Sequence, residues 1–132
     1  MPIDRAWAGM MEWERQPEWM LDASAVRVVG DQREGVGTRF AVRTRVLGIP
    51  AFTEILEVTR WEPPRALDVR HTGFVRGTGR WRLTEAGEGT TFHWEEELRM
   101  PIPLLGELAL RAYRPVMRIL MRRAIERLGR RL

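Results

Sequence analysis

The chain lacks cysteine, lysine and asparagine entirely, and it has only two histidines among its 132 residues. Without cysteine, disulfide bonds and thiolate metal ligands are excluded. Two histidines fall short of the three or four protein ligands that a zinc site usually takes, so we expect no bound metal and no cofactor. No apolar run approaches the roughly 20 residues that a membrane-spanning helix needs, and no basic and then apolar leader opens the chain. We therefore expect a cytoplasmic protein.

The absence of lysine means that all 22 basic residues are arginine. Arginine binds phosphate through paired hydrogen bonds, which would point to a nucleic-acid or phosphate ligand. The joint absence of lysine and asparagine, whose codons are rich in A and T, indicates instead a GC-rich genome, and we favour this explanation. No groove-binding motif or aromatic stacking platform accompanies the charge, so we expect no nucleic-acid partner.

The net charge of +4 is unevenly distributed along the chain. Residues 111–132 hold eight arginines and one glutamate, a net charge of +7, whereas residues 1–110 hold 14 arginines and 17 acidic residues, a net charge of −3. A solvated helix face is the favoured explanation of the basic segment. Peripheral contact with an anionic membrane surface is the alternative. The length and the 44% hydrophobic content indicate one globular domain, 1–132.

Hydrophobic periodicity predicts helices at both ends of the chain and strands between them. A short helix is expected at 3–13 and a second helical turn at 17–22. Alternation of apolar and polar residues predicts about six antiparallel strands, with Gly77 and Gly79 flanking a turn. These strands are expected at 25–30, 38–47, 52–61, 66–72, 80–84 and 90–100. A hairpin connection is expected at 48–50.

A long amphipathic helix is predicted from about Leu104 to the C-terminus, kinked or divided at Pro115. Its expected apolar arc consists of Leu108, Ala112, Val116, Ile119 and Leu120. Its expected solvent-facing stripe consists of Arg111, Arg114, Arg118 and Arg122. The simplest packing lays this helix across the concave face of a strongly bent sheet, which makes an α+β fold.

Several short segments, taken in order, resemble the START-like superfamily of polyketide cyclase/dehydrase and lipid-transport proteins, which has the helix-grip fold of the birch-pollen allergen. They are Trp7 in the first helix, PEWM at 17–20, GVGTRF at 35–40, WEPPRAL at 61–67, GRWRL at 79–83 and GEGTTFHW at 87–94. The resemblance implies a bent antiparallel sheet around the C-terminal helix. It also implies a cavity between them for a hydrophobic molecule such as a lipid, sterol, polyketide or quinone, but it implies no catalytic residue.

The first strand of that family has no counterpart in this sequence. We therefore expect two open sheet edges, at 25–30 and 90–100. Open edges favour pairing with another chain, so a homodimer is a possible assembly.

Glu96 is the most informative candidate residue, because it lies between Trp94 and Leu98 in the apolar phase of its strand. A buried carboxyl group has a raised pKa, which suits acid–base catalysis. The alternatives are a bulge that turns Glu96 outward and a structural pair with arginine. His71 shares a phase with Leu67 and Val69. It would contact a ligand or act as a base near neutral pH. The favoured alternative is a histidine at a strand end that is hydrogen-bonded to backbone or water.

The other candidates are weaker. Glu54 and Arg60 share one phase of their strand. If that phase faces inward, Arg60 would be a counter-charge for Glu96 or for a ligand carboxylate. Ile55 and Trp61 favour the opposite phase. Tyr113 would offer its hydroxyl group to the cavity or anchor the edge of the core. The remaining residues expected to line the ligand cavity are Phe40, Val42, Trp81, Trp94 and Val116.

Two functions follow from this pattern. The first is a carrier or sensor that binds a hydrophobic small molecule. The alternative is an enzyme of the polyketide cyclase, aromatase or dehydrase type, with proton transfer by Glu96 and His71. An enzyme requires these two side chains within about 4 Å of each other and of open cavity, whereas a carrier needs only one or two polar anchors.

Overall fold

The computed structural model describes residues 1–46, 49–73, 75–99 and 103–131, with side chains at all of these except 50, 51, 103–107 and 131. Two helices and a 3₁₀ helix accompany six strands. The helical segments are α1 (Ile3–Met10), a 3₁₀ helix (Trp13–Glu18) and α2 (Pro103–Arg131). The strands are β1 (Ala23–Val29), β2 (Arg39–Val46), β3 (Ile49–Glu62), β4 (Ala66–Thr72), β5 (Arg76–Ala86) and β6 (Gly89–Arg99).

The six strands form one antiparallel sheet in which spatial order follows chain order, from β1 to β6. This open sheet, with short helices before it and a long helix after it, confirms the predicted α+β fold and is consistent with the helix-grip fold. Strands β1 and β6 form the two edges of the described sheet. Homodimerisation through these edges stays a prediction.

The N-terminal helical segments cover the inner face of the sheet. Trp13 is almost fully buried and stacks on Phe40 of β2, with ring centroids 4.6 Å apart. Trp7 of α1 packs edge-on against Trp61 of β3 at 5.3 Å. Val58, at the centre of β3, has no exposed surface. The apolar core therefore lies between these segments and the middle strands.

Strand β5 corrects the expected turn at Gly77 and Gly79. Both glycines lie inside the strand, where it pairs with β4 on one side and with β6 on the other. Gly77 has a φ of +146°, and a Cβ atom there would lie 1.8 Å from the carbonyl oxygen of Glu97. The glycine thus permits a close approach of two strands instead of a turn.

Smaller differences concern the boundaries of the elements. Helix α1 ends at Met10, earlier than expected, and the 3₁₀ helix contains Pro17 instead of beginning at it. Of the hairpin expected at 48–50, Ile49 begins β3, while residue 48 falls outside the described residues.

Helix α2 continues through Pro115, so the expected division at this residue is wrong, while a kink there stays a prediction. The expected apolar arc does not face the sheet, because Leu108 and Ile119 are 60% and 52% exposed while Ala124 and Leu128 are buried. The inward stripe instead repeats every four or three residues, as expected for one helix face. It consists of Leu110, Met117, Met121, Ala124 and Leu128, with the exposed Arg114 at the intervening position of the same spacing. Within the described ranges, no helix is long and apolar enough to cross a membrane.

Candidate functional site

A histidine lies between two carboxylates on the inner face of the sheet. His71 Nδ1 is 3.1 Å from Glu54 Oε2, and His71 Nε2 is 3.1 Å from Glu96 Oε2. The side chains of His71, Glu54 and Glu96 are 9%, 9% and 13% exposed. Strands β4, β3 and β6 each contribute one of the three groups. We call these three residues the carboxylate–histidine triad.

The triad is possible because β5, which lies between β4 and β6, has a glycine at the crossing point. Gly79 pairs with Val69 on one side and with Glu96 on the other. A Cβ atom at Gly79 would lie 3.1 Å from Glu96 Oε1 and 3.2 Å from Oε2. The Glu96 carboxylate therefore occupies the space that a side chain at position 79 would need, and it reaches His71 across β5.

Two further hydrogen bonds complete the triad. Thr44 of β2 donates its hydroxyl hydrogen to Glu54 Oε1 at 3.3 Å. Trp94 of β6 donates its indole N–H to Glu96 Oε1 at 2.9 Å. Each carboxylate oxygen and each imidazole nitrogen thus has a protein partner, as buried polar groups require.

The charge of His71 follows from these contacts. Burial lowers the pKa of His71, but the hydrogen bonds and negative charges of Glu54 and Glu96 outweigh burial and raise that pKa to about 10. The ring is therefore an imidazolium at neutral pH, with both N–H groups donating to carboxylates. Its positive charge offsets the cost of burying two carboxylates side by side.

Asp22, between the 3₁₀ helix and β1, adds a third acidic group to this site. Burial raises the pKa of the Asp22 carboxyl group, and the negative charges of Glu96 and Glu54 raise it further. Its backbone carbonyl accepts a 2.6 Å hydrogen bond from the amide of Arg45, which fixes the segment against β2. Asp22 was not among the predicted site residues, since it was expected only as the end of the helical turn at 17–22.

Two cavities meet at Glu96. The inner cavity, about 70 Å³, is bordered by the triad and by Asp22. The outer cavity, about 800 Å³, lies between β6 and α2. Trp94 and Glu96 border both cavities. Six of the nine residues expected to line a ligand cavity border the inner one: Phe40, Val42, His71, Trp81, Trp94 and Glu96.

The other three expected residues lie elsewhere. Arg60 is 44% exposed and pairs with Glu62 at 2.9 Å, so the expectation that it balances Glu96 is wrong. A register shift between Val58 and Arg60 reverses the phase of β3, which leaves Glu54 inside and Arg60 outside. Tyr113 and Val116 are half-buried on α2 but line neither cavity, because α2 presents a different face to β6 than expected.

Sequence analysis weighed Glu54 but could not place it. The alternation of Glu54 with Leu56 and Val58, which are 7% and 0% exposed, was the available signal for an inward carboxylate. Thr44 lay in the inward phase of β2 by the same argument. Among the described residues, no group of three or more histidine or acidic side chains is arranged to hold a metal ion.

Comparisons with known proteins agree with this architecture. A family model described as polyketide cyclase / dehydrase and lipid transport matches residues 1–132. The structure of the di-domain ARO/CYC StfQ from the steffimycin biosynthetic pathway superposes with a TM-score of 0.73 at 18% identity, over 96% of this chain. This chain spans 45% of that two-domain protein.

Two single-chain structures are also similar. TTHA0849 from Thermus thermophilus has a TM-score of 0.71 at 21% identity, covering 98% of this chain and 85% of its own. A START superfamily protein from Mycobacterium smegmatis has a TM-score of 0.64 at 12% identity, with the same two coverages. At these identities the likeness shows the fold alone. No protein with a curated description matches this chain.

Proposed function

Because the chain belongs to the polyketide cyclase/dehydrase and lipid transport family, we propose that it binds a hydrophobic polyketide-type carbonyl compound between β6 and α2 and catalyses a proton transfer on it. One observation carries the proposal. Glu96 borders both cavities, and its carboxylate lies 3.1 Å from the imidazole of His71. Family membership itself supports a hydrophobic ligand or a cyclase role in general terms.

The outer cavity suits a hydrophobic ligand of moderate size. Its volume of about 800 Å³ lies within the range of roughly 300–1,000 Å³ that small-molecule sites occupy. Trp94 and Leu98 line it on the β6 side, and Leu110, Met117 and Met121 line it on the α2 side. These side chains would contact the apolar body of the ligand, and Glu96 would contact its reacting end.

Glu96 is the proton-transferring group in this proposal. Glu96 is the member of the triad that borders the outer cavity, whereas Glu54 and His71 border the inner cavity alone. The imidazolium of His71 orients Glu96 and provides a fixed positive charge beside it. Glu54 holds the imidazolium from the other side. Such a preorganised arrangement acts without reorganisation when charge develops on the ligand.

Dehydration of a β-hydroxy carbonyl compound illustrates the chemistry. Glu96 takes a proton from the α-carbon, and the electron pair of that C–H bond forms a carbon–carbon double bond as the β-carbon–oxygen bond breaks. The departing hydroxide takes the proton from Glu96 and leaves as water. The same deprotonation produces the enolate that ring closure of a polyketide needs. Neither step requires a cofactor.

Hydrogen exchange on a model ligand tests the proposal. Decane-2,4-dione, a hydrophobic β-diketone, is incubated with protein in D₂O, and deuterium uptake at its α-carbon is followed by mass spectrometry. We expect the wild-type protein to accelerate uptake and Glu96→Gln to lower the accelerated rate by about 100-fold or more. The matched control is Glu97→Gln, since Glu97 is the next residue, is exposed and pairs with Arg80.

Binding of the diketone is measured in parallel by tryptophan fluorescence, because Trp94 borders the cavity. The chemical proposal requires that Glu96→Gln still binds the diketone while exchange is lost. Equal exchange rates for wild type and Glu96→Gln, or no acceleration by the wild type, would contradict it.

A carrier function is the second candidate, and one observation favours it. Every carboxylate oxygen and imidazole nitrogen of the triad already has a protein partner. The triad could therefore provide a fixed polar surface beside the ligand without reacting with it. A carrier would bind the diketone without accelerating exchange. Native mass spectrometry of protein purified from its own host would then recover a bound hydrophobic molecule unchanged.

A further inference from the structure

The outer cavity is basic on its helical side. Arg111, Arg114 and Arg118 line it from α2, beside the apolar Met117 and Met121. These arginines recur at intervals of three and four residues, which places them on one face of the helix. All three are exposed, as the predicted solvated stripe requires, but only the structure shows that they also border a cavity beside β6.

These three arginines form no ion pair with any side chain that the structure describes, as is also true of half of the 14 arginines that precede α2. Arg80 pairs with Glu97 at 3.2 Å and Arg82 pairs with Asp68 on the outer face of the sheet. Seven of the arginines that precede α2 have such partners: Arg15, Arg33, Arg60, Arg65, Arg70, Arg80 and Arg82. The guanidinium groups along the cavity are therefore available to an external anion.

The acidic residues of β6 do not neutralise this side of the cavity. Glu95 and Glu97 border it, but both carboxylates lie within 3.8 Å and 3.2 Å of Arg80. Arg99, also on β6, adds a fourth guanidinium group. The helical side carries three positive charges and no described acidic side chain.

The inner end of the site has the opposite charge. Three acidic side chains, Glu54, Glu96 and Asp22, meet there with one basic side chain, His71. An anionic group would be repelled there and attracted to α2. The two charges thus define one orientation for a ligand that has an anionic end.

We propose that the ligand is an amphiphilic anion, with a carboxylate or phosphate held by Arg111, Arg114 and Arg118 and an apolar body that extends towards Glu96. This inference rests on the proposed function and names the class of its ligand. Guanidinium groups bind carboxylate and phosphate through paired hydrogen bonds, and they do so most strongly where water is partly excluded. Arg111 and Arg118 are separated by about 10 Å along the helix axis, which lets one anionic group contact two of the three.

Binding of matched amphiphiles tests this proposal. The probes are dodecanoate, dodecyl phosphate and the neutral dodecanol, each titrated below its micellar concentration and followed by calorimetry and tryptophan fluorescence. We expect one-to-one binding of both anions about tenfold or more tighter than dodecanol. The advantage of the anions should shrink as salt is added, since their attraction to exposed guanidinium groups is screened.

Variants then locate the contact. The triple variant Arg111→Gln/Arg114→Gln/Arg118→Gln should lose the preference for anions but still bind dodecanol. The matched control is Arg123→Gln/Arg127→Gln/Arg130→Gln, which removes the same charge from the same helix at exposed positions that do not line the cavity. Circular dichroism and the melting temperature confirm that both variants remain folded.

The outcomes separate this proposal from the one it rests on. Equal affinity for dodecanoate and dodecanol, equal losses in the two triple variants, or binding of neither probe would overturn the anionic ligand. Binding only to vesicles that contain phosphatidylglycerol would also overturn it, in favour of a membrane surface. Both proposals would be supported if the first triple variant loses its preference for anions while diketone exchange still depends on Glu96. If diketone exchange does not depend on Glu96, only the acid–base role would be refuted.

Discussion

Replacement of His71 by glutamine offers the most direct test of the triad, because the replacement changes how stability depends on pH. The pKa of His71 is raised from 6.5 to about 10 by Glu54 and Glu96. In the unfolded chain these contacts are lost and the ring titrates near its ordinary value. Between those two pKa values the folded protein holds a proton that the unfolded chain does not. The free energy of unfolding must therefore fall as pH rises through this window.

The size of the effect follows from the shift. At about 1.4 kcal/mol per pKa unit, protonation of His71 contributes roughly 5 kcal/mol below pH 6.5 and nothing well above pH 10. Between pH 7 and pH 10 the wild-type protein should lose about 4 kcal/mol of this stabilisation. A domain of this size is stable by roughly 5–15 kcal/mol, so the loss is large enough to measure.

The composition of the chain makes this window unusually simple to interpret. There is no lysine and no cysteine to titrate in it, and arginine stays charged throughout. Tyr113 and the terminal amino group are present in both the wild type and His71→Gln, so subtracting one profile from the other removes their contribution. Urea unfolding at half-unit steps from pH 6 to pH 10 provides the two profiles.

We expect the wild-type profile to slope downward and the His71→Gln profile to be nearly flat, with the two converging near pH 10. His93→Gln is the control, because the side chain of His93 is 65% exposed and lies 2.9 Å from a single carboxylate, that of Glu95. It should retain the wild-type slope. A flat wild-type profile, or an equal slope in His71→Gln, would refute a charged histidine between the two carboxylates.

Two further predictions concern the framework of the site. Gly77→Ala should lower the free energy of unfolding, measured in urea, by about 3 kcal/mol or more, because its Cβ atom would lie 1.8 Å from the carbonyl oxygen of Glu97. The control is Gly87→Ala, where φ is +60° but the surrounding space is open. It should lower the free energy of unfolding by only about 1–2 kcal/mol. Trp94→Phe should lower stability by about 2 kcal/mol, since it removes the hydrogen bond to Glu96. Trp81→Phe trims the same aromatic cluster without that bond, and an equal loss of melting temperature in both would contradict the assigned role of the indole N–H.

The fold could be predicted from the sequence because its signals are local and repeated. Alternation in segments such as 66–72 defined the strands, and the change to helical spacing after Pro103 defined α2. The order of several short segments pointed to the family, and the match of the family model to the whole chain confirmed that resemblance. The inward position of Glu96 also followed from alternation, since its neighbours Trp94 and Leu98 share its phase.

The partners of Glu96 could not be predicted in the same way. Its contact with His71 crosses an intervening strand, and it depends on the missing side chain of Gly79, which sequence analysis had assigned to a turn. The bulge between Val58 and Arg60 changes the phase within β3, so Glu54 and Trp61 gave conflicting signals that a single alternation could not reconcile. On α2, Arg114 interrupts the stripe of Leu110, Met117 and Met121, so a hydrophobic wheel selects the wrong face.

This interruption connects the two ends of the proposed site. If α2 packed through a fully apolar stripe, it would close against β6 as ordinary core. Arg114 interrupts that stripe with a charge, and burying its guanidinium group without a partner would be costly. Arg114 is exposed where α2 borders the outer cavity, whereas Ala124 and Leu128, further along the helix, are buried. The arginine that obscures the amphipathic pattern in the sequence is therefore also one of the three that the proposed anionic ligand would contact.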